Sequence, residues 1–524
     1  MASWPVRASR VQPSIVRLCR NLSSGAPKAA KPTATVVGSG CFGVGAAYFL
    51  ARKGFDVTVL DKRNGAAMGT SWGNASSLRE SSFGAGAGPG AMPALLKSLY
   101  NHDGTYRLRL ATLLADTWLW RWGLRFLKTC GDKEAISATE TFLRDHSPYF
   151  NRLTYAIADA EGFAKSVDGS REAMVVFVDC GADGKSTSDG TEVSSGTANA
   201  YAGAKAKAAA KPPVPWAVTH ALTPAEAVER EPALQPTLRG ALAGAVHAPH
   251  DSLLDSHGYT TALAKVCADK YGVSFVHGDA GDVTSLARAS FGKGNRSGGV
   301  AGVHTADGGY VESDVVVVAT GAQAPRLLAP LGIDAPIYPV KGYSLTYDVS
   351  GLPPAEAPTG LMVVEPAQMY VSRMGNRLRF TSIAEFAGWG EDEVAEDCVA
   401  VLRHRAETLF PAATVGREPA VWAGGRPLTP DDRPISCRAP ESAYAPNLYI
   451  HSGGGAYGWR VSMGVSQQLV DTICADGFAA DSARPSKAPP SLEKAEPRTT
   501  FDAGLLSVER FVQLPLQPRA LFGW

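Results

Sequence analysis

The sequence predicts an α/β protein built on a Rossmann-like dinucleotide-binding unit, and three observations carry that prediction. A short β-branched strand, Thr33 to Val37, runs directly into the loop Gly38-Ser39-Gly40-Cys41-Phe42-Gly43 and then into an apolar helix. A second strand, Phe55 to Leu60, ends on Asp61. A continuous β-branched run, Asp314 to Val318, reads as a strand covered on both faces and ends in Ala319-Thr320-Gly321.

The glycine loop is meaningful because of its place between strand and helix. Glycine at positions 38, 40 and 43 removes the Cβ where the turn is tight and where backbone must approach a pyrophosphate, so all three are expected at the cofactor. Phosphate charge then rests on free N–H groups at the helix N-terminus. Asp61 ends the next strand, where a carboxylate accepts hydrogen bonds from an adenosine ribose.

Three later features point from a generic dinucleotide to FAD. The loop after Asp61 contains Gly69-Thr70-Ser71-Trp72-Gly73-Asn74-Ala75-Ser76, small and polar enough to lie along a diphosphate or an isoalloxazine edge. Val283 and Gly321 flank the buried strand where a second, later cofactor contact is needed. Strand, glycine cluster and helix recur from Tyr449 to Gly464, which sets Gly455, Gly458 and Trp459 at another helix N-terminus.

Between these pieces the chain reads as helical from about Ala91 to Ala160, as alternating strands from Pro339 to Phe380, and as a helix from Asp392 to Leu409. Residues 181–213 are nearly all Gly, Ala, Ser, Thr, Asp and Lys, and read as a disordered insertion. Residues 1–32 carry six Arg and Lys, and the first acidic residue is Asp56. Ile15, Leu18 and Leu22 share a helical face opposite Arg17 and Arg20, the pattern of an organellar transit peptide, mitochondrial before chloroplast.

Composition excludes several classes. A net charge of +1 offers nothing to nucleic acid. The eight cysteines form no C-x-x-C pair or metal-ligand grouping, so no metal is expected. No apolar run is long enough to span a bilayer. The most apolar segment, Leu108 to Leu127, is interrupted by Arg109, Asp116, Arg121 and Arg125 and reads as an amphipathic helix over a core, with shallow membrane contact left open.

The ordered motifs give a family resemblance. The Gly38 loop, Thr70-Ser71-x-x-Asn74-Ala75, Pro339-Val340-Lys341-Gly342-Tyr343-Ser344-Leu345-Thr346, Gly425-Arg426-Pro427-Leu428-Thr429-Pro430-Asp431 and Gly454-x-x-x-Gly458-Trp459 together resemble the D-amino-acid oxidase superfamily of FAD enzymes. Within it, the chain is most similar to the D-amino-acid dehydrogenase small subunit. The resemblance implies a discontinuous FAD-binding domain (33–125, 246–335 and 420–480) and an antiparallel-sheet α+β substrate domain (126–245 and 336–419). Residues 481–524 are a linker and an unassigned tail.

The resemblance also implies chemistry: hydride transfer from the substrate Cα to flavin N5, hydrolysis of the imino acid to a 2-oxo acid and ammonia, and electrons passed to a quinone or carrier protein. Arg426 matches the family's carboxylate-binding arginine, unless it pairs with Asp431 or Asp432. Tyr343 and Tyr370 either contact substrate or are half-buried sheet residues. Arg460 is a second anion contact or a solvated helix residue. Some relatives attach FAD covalently through a histidine after a Ser-Trp pair; Gly73 stands there, so noncovalent FAD is expected. The bacterial histidine of the last glycine cluster is absent, with His451 just before it. A glycine or sarcosine oxidase using oxygen, and a non-catalytic organellar assembly factor, are the alternatives.

Overall fold

The computed structural model describes residues 31–511 except 89, 101–103, 180–193, 239–240, 290–298, 366, 391 and 479–502. The expected leader thus lies outside the described residues, apart from Lys31 and Pro32. A six-stranded sheet runs in the order 435–438, 448–452, 315–318, 33–37, 56–61, 274–277. The four pairings from 448–452 to 274–277 are parallel, and the 435–438 strand pairs antiparallel. Val315 to Val318 are all fully buried between the two layers that cover this sheet.

One face of the sheet packs on the helices Cys41–Arg52, Lys133–Ala160, Ser256–Tyr271 and Gly458–Ile473, which share one apolar core. The other face meets a three-stranded antiparallel sheet formed by Val283–Arg288, Val300–Thr305 and Tyr310–Glu312. The Lys133–Ala160 helix, expected with the substrate domain, therefore belongs to the core of the parallel sheet. Its buried Phe142, Phe150, Leu153 and Ile157 repeat at helical spacing toward that core.

A ten-stranded mixed sheet forms the second layer, with the main order 420–428, 338–348, 377–386, 369–374, 361–365, 169–178, 242–254, 77–78. Residues 420–428 and 246–254, expected in the cofactor unit, are strands of this second sheet. Strand pairing decides it: 420–428 runs antiparallel to 338–348, and 242–254 to 169–178.

Two further expectations need correction. In the segment read as a disordered insertion, Ser195–Ala209 is a helix; residues 180–193 lie outside the described residues. Ser194 caps it, and Asp179 binds Ser194 and Thr197. Alanine is the best helix former, and small side chains let the helix lie close on the 242–254 strand, where Tyr201 covers Gly244. The Leu108–Leu127 segment is not one amphipathic helix. Asp116 accepts hydrogen bonds from Trp118 and Leu119 and starts a new helix, Thr117–Gly131, after Leu110–Ala115. Leu110, Leu114, Trp120, Leu124 and Leu127 remain exposed on the outer side of these helices.

Part of the tail also has a place. Ala503–Leu506 and Val508–Phe511 are short 3-10 turns that bury Leu506 and Val508 in the two cores flanking the parallel sheet. Arg510 donates to both carboxylate oxygens of Asp431, at 2.8 and 3.1 Å.

Candidate active site

A cleft of about 530 Å³ runs along the C-terminal ends of the parallel strands and under the second sheet. Crevices at this end of a parallel sheet are where such folds hold nucleotides. At one end the Thr33–Val37 strand turns into helix Cys41–Arg52 through Gly38, whose φ is +104° and whose missing Cβ would stand 2.5 Å from the Ala319 carbonyl oxygen. Gly40 precedes the helix with no side-chain cap and no acidic residue in the first turn, so its free N–H groups open toward the cleft. Gly43 does not line the cleft. A Cβ there would strike the Gly38 carbonyl, so its role is to seat the helix against the turn.

The polar loop after the second strand closes around this end. Ser71 Oγ accepts from the Cys41 N–H at 3.1 Å, Thr70 Oγ1 donates to the Gly425 carbonyl at 2.7 Å, and Asn74 Oδ1 accepts from Ser256 Oγ at 2.7 Å. Asp61 lines the cleft, but its Oδ2 already accepts from Ser39 N and Oγ, both at 2.7 Å, and Oδ1 from Arg63 N at 2.9 Å. The carboxylate is thereby fixed in orientation with lone pairs left over for a ribose. Val283 and Gly321 complete the wall on this side.

Across the cleft, Gly455 and Gly458 lead into helix Gly458–Ile473, a second helix that begins without a side-chain cap. Gly453 and Gly455 have φ of +74° and +54°, and Trp459 Nε1 donates to the Leu254 carbonyl at 3.0 Å. His451 is fully buried between Ser436 Oγ and Ser466 Oγ, at 2.9 and 2.8 Å, and burial pushes its pKa down to about 3. It is a neutral packing residue and does not replace the absent histidine. Two helix N-termini, a close-approach glycine turn and a fixed carboxylate fit a dinucleotide. Gly73 also bears on the mode of attachment: the indole of Trp422 occupies the space that a side chain at position 73 would fill.

The far end is built from the second sheet. Arg426 projects from the 420–428 strand past Gly342, where a Cβ would stand 2.5 Å from its Cζ. Its Nη1 donates to the Ile383 carbonyl at 2.9 Å. Ile383 sits at a register break with φ of +67°, an uncommon conformation for a β-branched residue. Arg426 pairs with neither candidate carboxylate. Asp431 is held by Arg433 and Arg510, and Asp432 accepts from Gly86 and Ala87 N–H groups. Burial, with the neighbouring Asp431 charge, outweighs the Gly86 and Ala87 N–H groups and pushes the Asp432 pKa up to about 6.

Tyr370 shares this end of the cleft with Arg426. Tyr343 does not. It follows Gly342 on the same strand, so its ring points to the opposite face, fully buried, with its hydroxyl on Glu385. Arg460 is 3% exposed rather than solvated, and lines the cleft. Arg79, unread in the sequence, lines it as well and donates to Asp251 Oδ2 at 3.0 Å. Arg79-Glu80 looks like an ordinary surface charge pair until the pairing of Ser77–Leu78 with Ser252–Leu253 brings it to Asp251.

Comparison with known proteins agrees with this geometry. A family model described as FAD dependent oxidoreductase (DAO) matches residues 33–472. The D-amino acid dehydrogenase of Xanthobacter autotrophicus is 30% identical over 84% of this chain and 94% of its own length. That of Azorhizobium caulinodans is 33% identical over 84% and 95%. Among solved structures, glycine oxidase from Geobacillus kaustophilus has a TM-score of 0.56 at 20% identity, over 92% of this chain and 99% of that one. L-proline dehydrogenase from P. horikoshii has a TM-score of 0.54 at 18% identity, over 92% and 98%. Cleft, glycine turns and sequence agree on one family: this chain is an FAD-dependent oxidoreductase of the DAO family.

Proposed function

We propose that this flavoenzyme oxidises D-amino acids to 2-oxo acids and ammonia and hands the electrons to a quinone or carrier protein. The observation that carries the reading is Arg426, set in the cleft by Ile383 and Gly342 with no carboxylate partner among the described residues. A guanidinium fork takes a substrate carboxylate through two parallel hydrogen bonds. Similarity to D-amino acid dehydrogenases along nearly their whole length supports the substrate class.

Bound FAD supplies a two-electron acceptor for the substrate Cα–H. The protein's share is placement. Arg426 docks the carboxylate, and Tyr370 offers a phenol beside it. Tyr457 donates to the Gly84 carbonyl and ties the residue 79–88 loop across this end, which limits water. A neutral amine substrate needs no strong base from the chain.

Anaerobic titration of the FAD-loaded protein with a D-amino-acid panel tests the reading. Bleaching of the oxidised flavin absorbance is expected with D- and not L-isomers, and reoxidation by a quinone analogue without peroxide. Arg426→Ala is expected to keep the flavin spectrum and lose substrate bleaching by about 10²-fold or more. No bleaching with any D-amino acid sinks the proposal; peroxide in step with turnover replaces the acceptor with oxygen. Residues 1–32 are proposed to direct the protein to mitochondria, and a fluorescent fusion of that segment remaining in the cytosol refutes this.

A further inference from the structure

The charges at the substrate end of the cleft do not balance. Three guanidiniums, of Arg79, Arg426 and Arg460, line it. Arg79 is neutralised by Asp251, which is itself buried and held by Ser81. Among the described residues neither Arg426 nor Arg460 forms an ion pair with any carboxylate. Glu365 interacts with Arg79, and Asp432, within reach of Tyr106 and Tyr457, is held by the Gly86 and Ala87 N–H groups and forms no ion pair with either arginine. The phenol of Tyr370 lies within electrostatic reach of all three arginines, so they surround one volume rather than three separate ones.

Arg460 is the residue the monocarboxylate reading leaves unused. It sits in the first turn of helix Gly458–Ile473, 3% exposed, with its guanidinium 4.8 Å from the centre of the Tyr457 ring. Nη1 donates to the carbonyls of Arg79 and Ser82 and holds their turn against the helix. Nη2 is buried with no hydrogen-bond partner. A buried guanidinium with an unspent N–H pair is unfavourable unless an anion reaches it. A scaffold role alone would be filled by the Nη1 contacts and leaves Nη2 of this cleft-lining residue unsatisfied.

Resting on the D-amino-acid reading above, we infer that the substrate is an acidic D-amino acid, its α-carboxylate on Arg426 and its side-chain carboxylate on Arg460. Arg79, already paired with Asp251, forms part of the pocket wall without being the anchor.

The test uses the full-length FAD-loaded protein under anaerobic conditions. D-glutamate and D-aspartate are compared with D-glutamine and D-asparagine, which have nearly the same shape without the second charge. The acids are expected to reach half-bleaching at a concentration at least about tenfold lower than their amides. Independently of turnover, glutarate or succinate is expected to perturb the oxidised flavin spectrum at lower concentration than butyrate. Arg460→Met is expected to shrink the preference by weakening the acids at least about tenfold more than the amides. Arg460→Lys, which retains the charge, is expected to preserve part of it and serves if the methionine variant loses flavin.

Amides that bleach the flavin as readily as the acids overturn this inference and leave the D-amino-acid reading standing. An Arg460→Met change that weakens acids and amides equally also overturns it, and makes Arg460 a scaffold or a counter-charge for the cofactor. If no D-amino acid bleaches the flavin, the earlier reading falls, and a dicarboxylate that then binds no better than butyrate removes the anion pocket too.

Discussion

At the scale of single residues, the cleft is shaped as much by missing side chains as by present ones. The indole of Trp422 lies against Gly73 on one side and Gly424 on the other, and a Cβ at either would collide with it. Position 73 therefore cannot carry a side chain while Trp422 is present. Gly73→Ala is expected to destabilise the FAD-loaded protein by about 1–3 kcal/mol, the usual cost of overpacking, and to speed flavin loss on dilution. Adding Trp422→Ala should recover most of that stability, because the two sites are coupled through direct contact. A thermal-melt cycle of wild type, both single variants and the double variant measures it, and additive losses would refute the coupling. The sequence carried Gly73 as a departure from the covalent pattern; its compensating tryptophan lay far along the chain, on a strand whose register no local pattern reveals.

At the scale of elements, legibility followed local chemistry. The Thr33–Val37 strand, glycine turn and helix were readable because phosphate chemistry requires small residues at fixed offsets, and Val315 to Val318 because a strand buried on both faces is continuously apolar. Arg426 is legible as a motif residue, whereas for Tyr343 the sequence leaves substrate contact and a place in the sheet both open, because a bulge-containing sheet hides which neighbour of Gly342 faces the cleft. The Ser195–Ala209 helix was missed because its composition has no apolar stripe, and its stability comes from a cap and from docking.

The C-terminal turn at Val508–Phe511 is the element whose role sequence could not show at all. Arg510 binds Asp431 and the Arg433 carbonyl, next to Asp432 and its contacts with Gly86 and Ala87. Burial alone would raise the pKa of Asp431, but Arg510 and Arg433 outweigh it and hold it below the usual carboxylate value. Arg510→Ala is expected to cost about 2 kcal/mol near neutral pH, less than breaking a whole buried pair because Arg433 remains. Since the native pKa is depressed, that stability is present above the unfolded value and disappears as pH falls through the native one. Denaturant melts of both proteins should therefore differ at pH 7 and converge in acid; an equal gap at all pH values would contradict the ion-pair origin.

For the whole molecule, the Leu110–Ala115 and Thr117–Gly131 helices present an apolar outer ridge. Trp120, Leu124 and Leu127 lie at i, i+4 and i+7 on the outside, while Leu119, Trp122 and Phe126 fill the core beneath. Exposed Lys97 and Lys128 flank them. No helix among the described residues is long and apolar enough to cross a membrane. An apolar ridge of this kind is tested for binding at the interfacial zone of a bilayer. The triple variant Leu114→Ser, Trp120→Ser, Leu124→Ser should lower sedimentation with anionic phosphatidylglycerol vesicles by about tenfold while leaving bleaching by substrate unchanged. Unaltered sedimentation would remove the ridge from any membrane role.

The interleaved strand order has a consequence for the birth of the protein. The strand from 315 to 318 lies between those from 33 to 37 and 448 to 452, and the second glycine turn follows the last of these. A ribosome releases the first half of the cofactor cradle long before the second exists. The nascent chain thus presents an open parallel-sheet edge and half a nucleotide site until nearly all of it has emerged. Flavin capture is consequently a late event in biogenesis, coupled to the final closure of the sheet, and a chain cut short before residue 448 should remain colourless however well its N-terminal glycine loop is formed.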